Sequence, residues 1–311
     1  MRTSAIALLV ASFVAASAHG DSVVRDGVEI HYTIVGDHGP YAVILSGGPG
    51  EEISSMDEVA AHLRDRFRCV MLEQRGTGRS MPPKRETSTF NLSAYIEDIE
   101  AVRLHLGGEK VVVVGNSWGM MLALAYGGAH PDAALAIVTL GSGPISRDYL
   151  TEFVDNQRRL LTPADREVVE FWSSPDEVKR DPDRAAFERI RATAPAYFYD
   201  RKAAMKFASE LKPSDFHPEI PSLFLTAEPN FDLRPLLRKI TAPTLLLQGR
   251  QDLAGEANVS EAHELIRNSV VTLIHKCGHM PWVEKGEETW RVTDEFLGRV
   301  AGSGLTPSPR R

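Results

Sequence analysis

Cysteine is scarce: Cys69 and Cys277 are the two in 311 residues. That is too few for a disulfide framework, so stability has to come from a packed core. Excess positive charge is missing as well. The 35 Lys and Arg are outnumbered by 42 Asp and Glu, for a formal charge of -7, and they are scattered, which excludes a nucleic-acid partner. The longest apolar run, Ala5 to Ala16, falls well short of the ~20 residues that span a bilayer, and no second candidate follows, so no stable membrane span is expected. H-E-x-x-H, H-x-x-E-H, paired-cysteine, dinucleotide and P-loop patterns are all absent, which leaves neither metal nor cofactor to expect. What remains, 43% hydrophobic and 25% charged residues, is the composition of a soluble globular protein. The length suits either two average domains or one α/β domain carrying an insertion.

Met1 to Gly20 depart from that average. Arg2, the apolar run and Ala16-Ser17-Ala18 have the form of a secretory signal cleaved after Ala18, which would place the working protein outside the cytoplasm, periplasmic or secreted. Beyond it, Asp26-Gly27 between two strand-like runs predicts a type I′ hairpin. Short apolar strands then alternate with amphipathic helical segments. The strands are Tyr41 to Ser46, Cys69 to Glu73, Val111 to Gly115, Leu135 to Leu140, Thr244 to Gln248 and Val270 to His275. Helices are expected at Ser54 to Phe67, Ser93 to Leu106 with Ser93 as its cap, Ser117 to His130, Asn258 to Ile266 and Glu287 to Val300. This rhythm implies a doubly wound, mostly parallel sheet covered on both faces.

Between Pro144 and Ile240 the rhythm breaks into proline-punctuated helical patterns, among them Arg147 to Leu161, Asp183 to Thr193 and Arg201 to Leu211, with Ser222 to Thr226 as a possible short strand. Strands resume at Thr244, so 144–240 reads as a helical cap inserted into one core domain, 19–143 and 241–300. The Gly- and Pro-rich end, 301–311, reads as a disordered tail.

Gly115-Asn116-Ser117-Trp118-Gly119 matches G-x-S-x-G and falls between a buried strand and a helix, where a nucleophile elbow belongs. A serine hydroxyl needs a base, and the base needs an orienting partner. Of the ten histidines, His279 follows the last strand, and Asp252 follows the strand before it. The order Ser117, Asp252, His279 is that of the same fold class. His275 reads as a structural histidine, while His31, His62, His105, His130, His217 and His263 read as hairpin or surface residues. The glycines of Ser46-Gly47-Gly48-Pro49-Gly50 would let a backbone amide approach a carbonyl oxygen, so the amides of Gly48 and Trp118 are assigned to the oxyanion hole.

Together with Glu73-Gln74-Arg75-Gly76-Thr77-Gly78-Arg79-Ser80, Gly249-Arg250-Gln251-Asp252 and Gly278-His279, these motifs resemble α/β-hydrolases of the proline iminopeptidase type across about Val28 to Val300. Members of that family usually read H-G-G-P-G and D-Q-R-G-x-G-x-S, so Ser46 and Glu73 depart from it. The resemblance implies an α/β-hydrolase fold: an eight-stranded, mostly parallel sheet in the order 1-2-4-3-5-6-7-8, with helices on both faces. That order holds Cys69 and Cys277 five strand spacings apart as free thiols. It also gives Arg75 and Arg79 structural roles.

Aminopeptidases of the family hold the substrate's α-amino group with cap carboxylates. Here Glu170, Glu188 and Glu228, together with Glu210, are the candidates, although acids on surface helices are the commoner case, and Trp172, Tyr197 and Phe198 either line an apolar pocket or pack in the cap core. The implied activity is a serine aminopeptidase releasing N-terminal residues from short peptides. A carboxylesterase or lactonase acting on small esters is the alternative, and a hydrolase-fold binding protein with little turnover is a third. Oligomeric state is not legible from the sequence.

Overall fold

The computed structural model describes residues 19–302. The expected signal, 1–18, lies outside the described residues, as does the expected tail beyond Gly302; Ala301 and Gly302 end the last helix instead. Strands β1 (His19–Arg25) and β2 (Val28–Val35) form the expected hairpin, with φ of 50° at Asp26 and 75° at Gly27. Positive φ at both central residues defines the type I′ turn, whose twist suits the flanking strands. Next come β3 (Tyr41–Leu45), β4 (Arg68–Leu72), β5 (Val111–Ser117), β6 (Ala134–Ser142), β7 (Thr244–Gly249) and β8 (Ser269–Ile274). The order β1-β2-β4-β3-β5-β6-β7-β8 is the expected one. From β4 to β8 every neighbouring pair is parallel, while β1 and β2 run antiparallel.

Alternation along the central strands sends successive side chains to opposite faces. Val43, Leu45, Val111, Val113, Ile137 and Leu246 face one apolar cluster, and Ala42, Ile44, Val112, Val114, Ala136, Val138, Leu245 and Leu247 face the other. After a 3-10 turn at Ile53–Met56, α1 (Asp57–Leu63) packs on the second cluster; α2 (Leu92–His105) and α3 (Trp118–Ala129) pack on the first. The first helix thus ends four residues short of the expected Phe67. Asn91, not Ser93, caps α2: its side chain accepts the Ala94 amide at 2.9 Å, because Ser93 already lies inside the first turn.

Seven helices lie between β6 and β7: α4 (Arg147–Leu160), α5 (Pro163–Trp172), α6 (Pro175–Arg180), α7 (Pro182–Thr193), α8 (Arg201–Glu210), α9 (Ile220–Ala227) and α10 (Arg234–Leu237). Ser222 to Thr226, expected as a strand, sits within α9, where Ile220 and Phe224 turn a buried face toward the first cluster. A helix there pairs the backbone polar groups internally, with no sheet edge required. The two roots of the segment are tied together, since Leu233 donates its amide to Ile145 O at 2.8 Å and Arg147 to Phe231 O at 3.0 Å. Asn258, on α11 (Gly255–Leu265), accepts from the Ile145 amide and donates to Gly143 O, each at 2.9 Å. The fold closes with α12 (Pro281–Glu284) and α13 (Gly286–Gly302). Cys69 and Cys277 are buried free thiols, and burial pushes both up to about 12. Among the described residues no helix is long and apolar enough to cross a membrane.

Candidate active site

Strand β5 carries Ser117 at its end with φ 53° and ψ -115°, and α3 begins at the next residue. A side chain at such angles costs of order 1–3 kcal/mol and persists only where the surroundings enforce it. Two close approaches do so here. A Cβ on Gly119 would lie 2.3 Å from Leu45 O, and one on Gly115 would lie 2.1 Å from Gly119 O. Both glycines of the motif are therefore dictated by packing of the helix start against β3 and β5.

His279 and Asp252 come from the loops after β8 and β7. His279 Nδ1 lies 2.8 Å from Asp252 Oδ1, with both side chains buried. Asp252 is itself held: Oδ1 accepts the Ala254 amide at 2.9 Å and Oδ2 the Ser142 amide at 3.1 Å. The His279 amide donates to Tyr197 O at 2.7 Å. The rings of Tyr197 and Phe153 stand edge to face with the imidazole at 5.3 and 5.9 Å. Two cap aromatics therefore fix the ring that Asp252 orients. His279 Nε2 is buried and makes no hydrogen bond among the described residues, while Ser117 lines the same cavity as His279.

Gly48 lines that cavity at φ 104°, and Trp118 opens α3, so its amide has no intrahelical acceptor. Gln74 connects the two. Its Nε2 donates to Ser46 O at 2.9 Å and to Ser46 Oγ at 3.1 Å, and its Oε1 accepts Trp118 Nε1 at 2.7 Å. Ser46 Oγ also donates to Glu51 O at 2.8 Å, bracing the glycine loop where the family usually has histidine. Arg75 is buried with two bonds to Asp98, at 2.9 and 2.6 Å, and Arg25 adds a third at 2.8 Å. Arg79 binds Glu73 through its Nε at 2.9 Å. Both arginines brace loops.

The cavity has a volume of about 390 Å³ and lies between these loops and the cap. Of the cap residues expected to line it, Tyr197 does. The others are placed elsewhere. Glu170 and Glu210 are exposed, Glu188 pairs with Arg191 at 3.1 Å, and Glu228 accepts the Leu92 amide at 3.1 Å. Trp172 meets Phe171 edge to face and carries Arg184 over its ring, and Phe198 is buried against Phe207 in the second cluster. Solvent, or another residue, claims each of them. His217, expected on the surface, lines the cavity, with its Nε2 2.8 Å from Glu52 Oε1.

Sequence reasoning missed Glu51, Phe153, Gln157, Arg189 and Thr193, all of which line the cavity. Glu51 is the cavity's carboxylate. It directly follows the glycine loop, a position that was available as a signal. Burial pushes its carboxyl up to about 7, although its remaining exposure faces the cavity. The segment is latched to the cap: Glu51 bridges Phe216, His217 donates its amide to Gly50 O at 2.7 Å, and Glu52 donates its amide to Asp215 O at 3.0 Å. Among the described residues no group of three His, Cys, Asp or Glu is arranged to hold a metal.

Residues 42–285 match the alpha/beta hydrolase fold family. A proline iminopeptidase of Lactobacillus helveticus is 28% identical over 289 residues, covering 87% of this chain and 95% of that protein. Among solved structures, an esterase from Rhodococcus sp. ECU1013 superimposes with a TM-score of 0.70 at 23% identity, covering 91% of this chain and 99% of that one. A proline iminopeptidase of Mycobacterium smegmatis gives 0.67 at 18% identity, covering 92% and 99%. The sheet order, the elbow and the family match agree: the chain belongs to the alpha/beta hydrolase fold family, as a serine-type hydrolase similar to the proline iminopeptidases.

Proposed function

We propose that the protein is an acyl-enzyme serine aminopeptidase that releases N-terminal residues from short peptides. The observation that carries this reading is the shared cavity of Ser117 and His279, with His279 Nδ1 held by Asp252 and Nε2 without a hydrogen-bond partner among the described residues. In this mechanism Ser117 Oγ attacks the scissile carbonyl while His279 Nε2 takes the hydroxyl proton. The amides of Gly48 and Trp118 hold the oxyanion, each donor supplying ~10²- to 10³-fold in rate. Collapse expels the amine, which receives the proton from His279. Water then attacks the acyl-enzyme by the same route in reverse order. Asp252 keeps the imidazole in one tautomer and stabilises the imidazolium.

Glu51 supports the aminopeptidase assignment, because a carboxylate facing an enclosed cavity suits an α-ammonium group. An esterase or lactonase is the second reading, favoured by the apolar cap walls, among them Phe153, Ile190, Phe207 and Leu211. Comparing prolyl anilide with short p-nitrophenyl esters separates the two, and activity confined to esters would sink the peptidase reading. A fluorophosphonate probe should label the protein and fail on Ser117→Ala; absence of labelling in folded protein would instead point to a binding protein. Export stands on residues 1–18 and is tested by N-terminal sequencing of the protein recovered outside the cytoplasm.

A further inference from the structure

Arg189 is the feature of the cavity that acyl transfer does not use. It lies on α7, is partly buried and lines the cavity beside Val169, Ile190 and Phe207. The neighbouring arginines of α7 are engaged: Arg184 stacks on Trp172 at 5.3 Å, and Arg191 binds Glu188 at 3.1 Å and Ala208 O at 3.0 Å. Arg189 alone of the three has a side chain that makes no hydrogen bond, ion pair or ring contact among the described residues, and Glu51, which lines the same cavity, does not pair with it. A guanidinium cannot discharge itself by losing a proton. An apolar wall therefore carries its charge at a cost that a matching anion would relieve.

The cavity thus presents a carboxylate on the loop after β3 and a guanidinium on the cap, with Ser117 and His279 lining the same space. At about 390 Å³ it is at the small end of the ~300–1,000 Å³ found for ligand sites. A ligand with a cation at one end and a carboxylate at the other, short enough to be enclosed, complements both charges. Resting on the peptidase reading above, we propose that Arg189 binds the C-terminal carboxylate of the substrate, which makes the preferred substrates di- and tripeptides with both ends free. The planar fork of a guanidinium accepts a carboxylate through two parallel hydrogen bonds.

The test compares kcat/KM for a dipeptide with that for its C-terminal amide. The native protein should prefer the free carboxylate by ~10- to 100-fold, the range for a charge-assisted hydrogen bond, with the difference in KM. Arg189→Gln should bring the ratio close to one, Arg189→Lys should keep part of it, and Arg184→Gln should keep all of it. If Arg189→Gln fails to fold, the intermediate ratio of Arg189→Lys decides. A native protein indifferent to the carboxylate, or an Arg189 variant that keeps the full preference, overturns the proposal. If no peptide is cleaved, the peptidase reading itself fails. Arg189 is then judged on p-nitrophenyl hemisuccinate against p-nitrophenyl butyrate: a preference for the charged ester that Arg189→Gln abolishes retains the carboxylate site, and equal rates remove it.

Discussion

Helices α3 and α4 belong to one chain and differ in nearly everything that holds them. Every residue of α3 from Trp118 to Gly128 is buried, so the helix exists because the sheet packs around it. Helix α4 buries no residue completely, and neither does α5. The cap relies on local devices instead. Helices α5, α6 and α7 each open with proline at the first position, behind Thr162, Ser174 and Asp181 as side-chain caps. Asp165 holds Arg201 through two bonds, at 2.9 and 2.7 Å, joining α5 to α8. A region built this way loses little stability when its exposed side chains change, whereas a change in α3 is felt by the sheet.

Four measurements can break or sharpen this contrast. The largest effect belongs to the core loops: Ser117→Ala should lower kcat/KM by ~10⁴-fold or more with thermal stability unmoved. Activity within tenfold of native would mean that the serine is not the nucleophile. Next, Ile44→Ala should destabilise the fold by ~2–5 kcal/mol in denaturant unfolding, since it empties a wholly buried site in the sheet. Val154→Ala on α4, at 55% exposure, should stay within ~0.5 kcal/mol. Equal effects would erase the distinction between the two regions.

Glu51 lies at the junction of core and cap. Its folded pKa is raised from 4.5 to about 7, so the folded protein keeps a proton that the unfolded chain has released. The stability this contributes is complete below pH 4.5 and is lost as the pH rises through about 7. Glu51→Gln should therefore be more stable than native at pH 8, by at most ~3 kcal/mol, and equal to it near pH 4. The same change should raise KM for aminoacyl anilides and leave p-nitrophenyl esters much less affected. A native pH profile for stability in the variant would remove Glu51 as the strained group. The smallest effect is local: Thr162→Ala should cost ~1 kcal/mol, visible as faster amide exchange across α5 with the strands unaffected. Loss of protection spread over the whole fold would show that cap and core unfold together.

Eight strands, their order and the Ser117, Asp252 and His279 positions were legible because each rests on a local signal or a family motif. Buried parallel strands are continuous apolar runs, and an elbow needs glycines two residues to either side of the serine. Ser222 to Thr226 shows the limit. Its short apolar run suits strand or helix equally, and packing of Ile220 and Phe224 on the core chose helix. The cap residues show it again. Glu170, Glu188 and Glu228 resemble Glu51 in chemistry, yet surface exposure, Arg191 and the Leu92 amide claim them.

By itself, then, the sequence determined the period of the sheet strands and of the helices between them, and, through its family motifs, their order and the residue types of the candidate site. The tertiary structure alone decided which charges line the cavity. Period is set by neighbours along the chain, whereas the lining of a cavity depends on how α7 and the loop after β3 are brought together across some 140 positions of sequence. No local pattern distinguishes an arginine whose partner is at hand, as at Arg191, from one that lines a cavity with no side-chain partner among the described residues, as at Arg189.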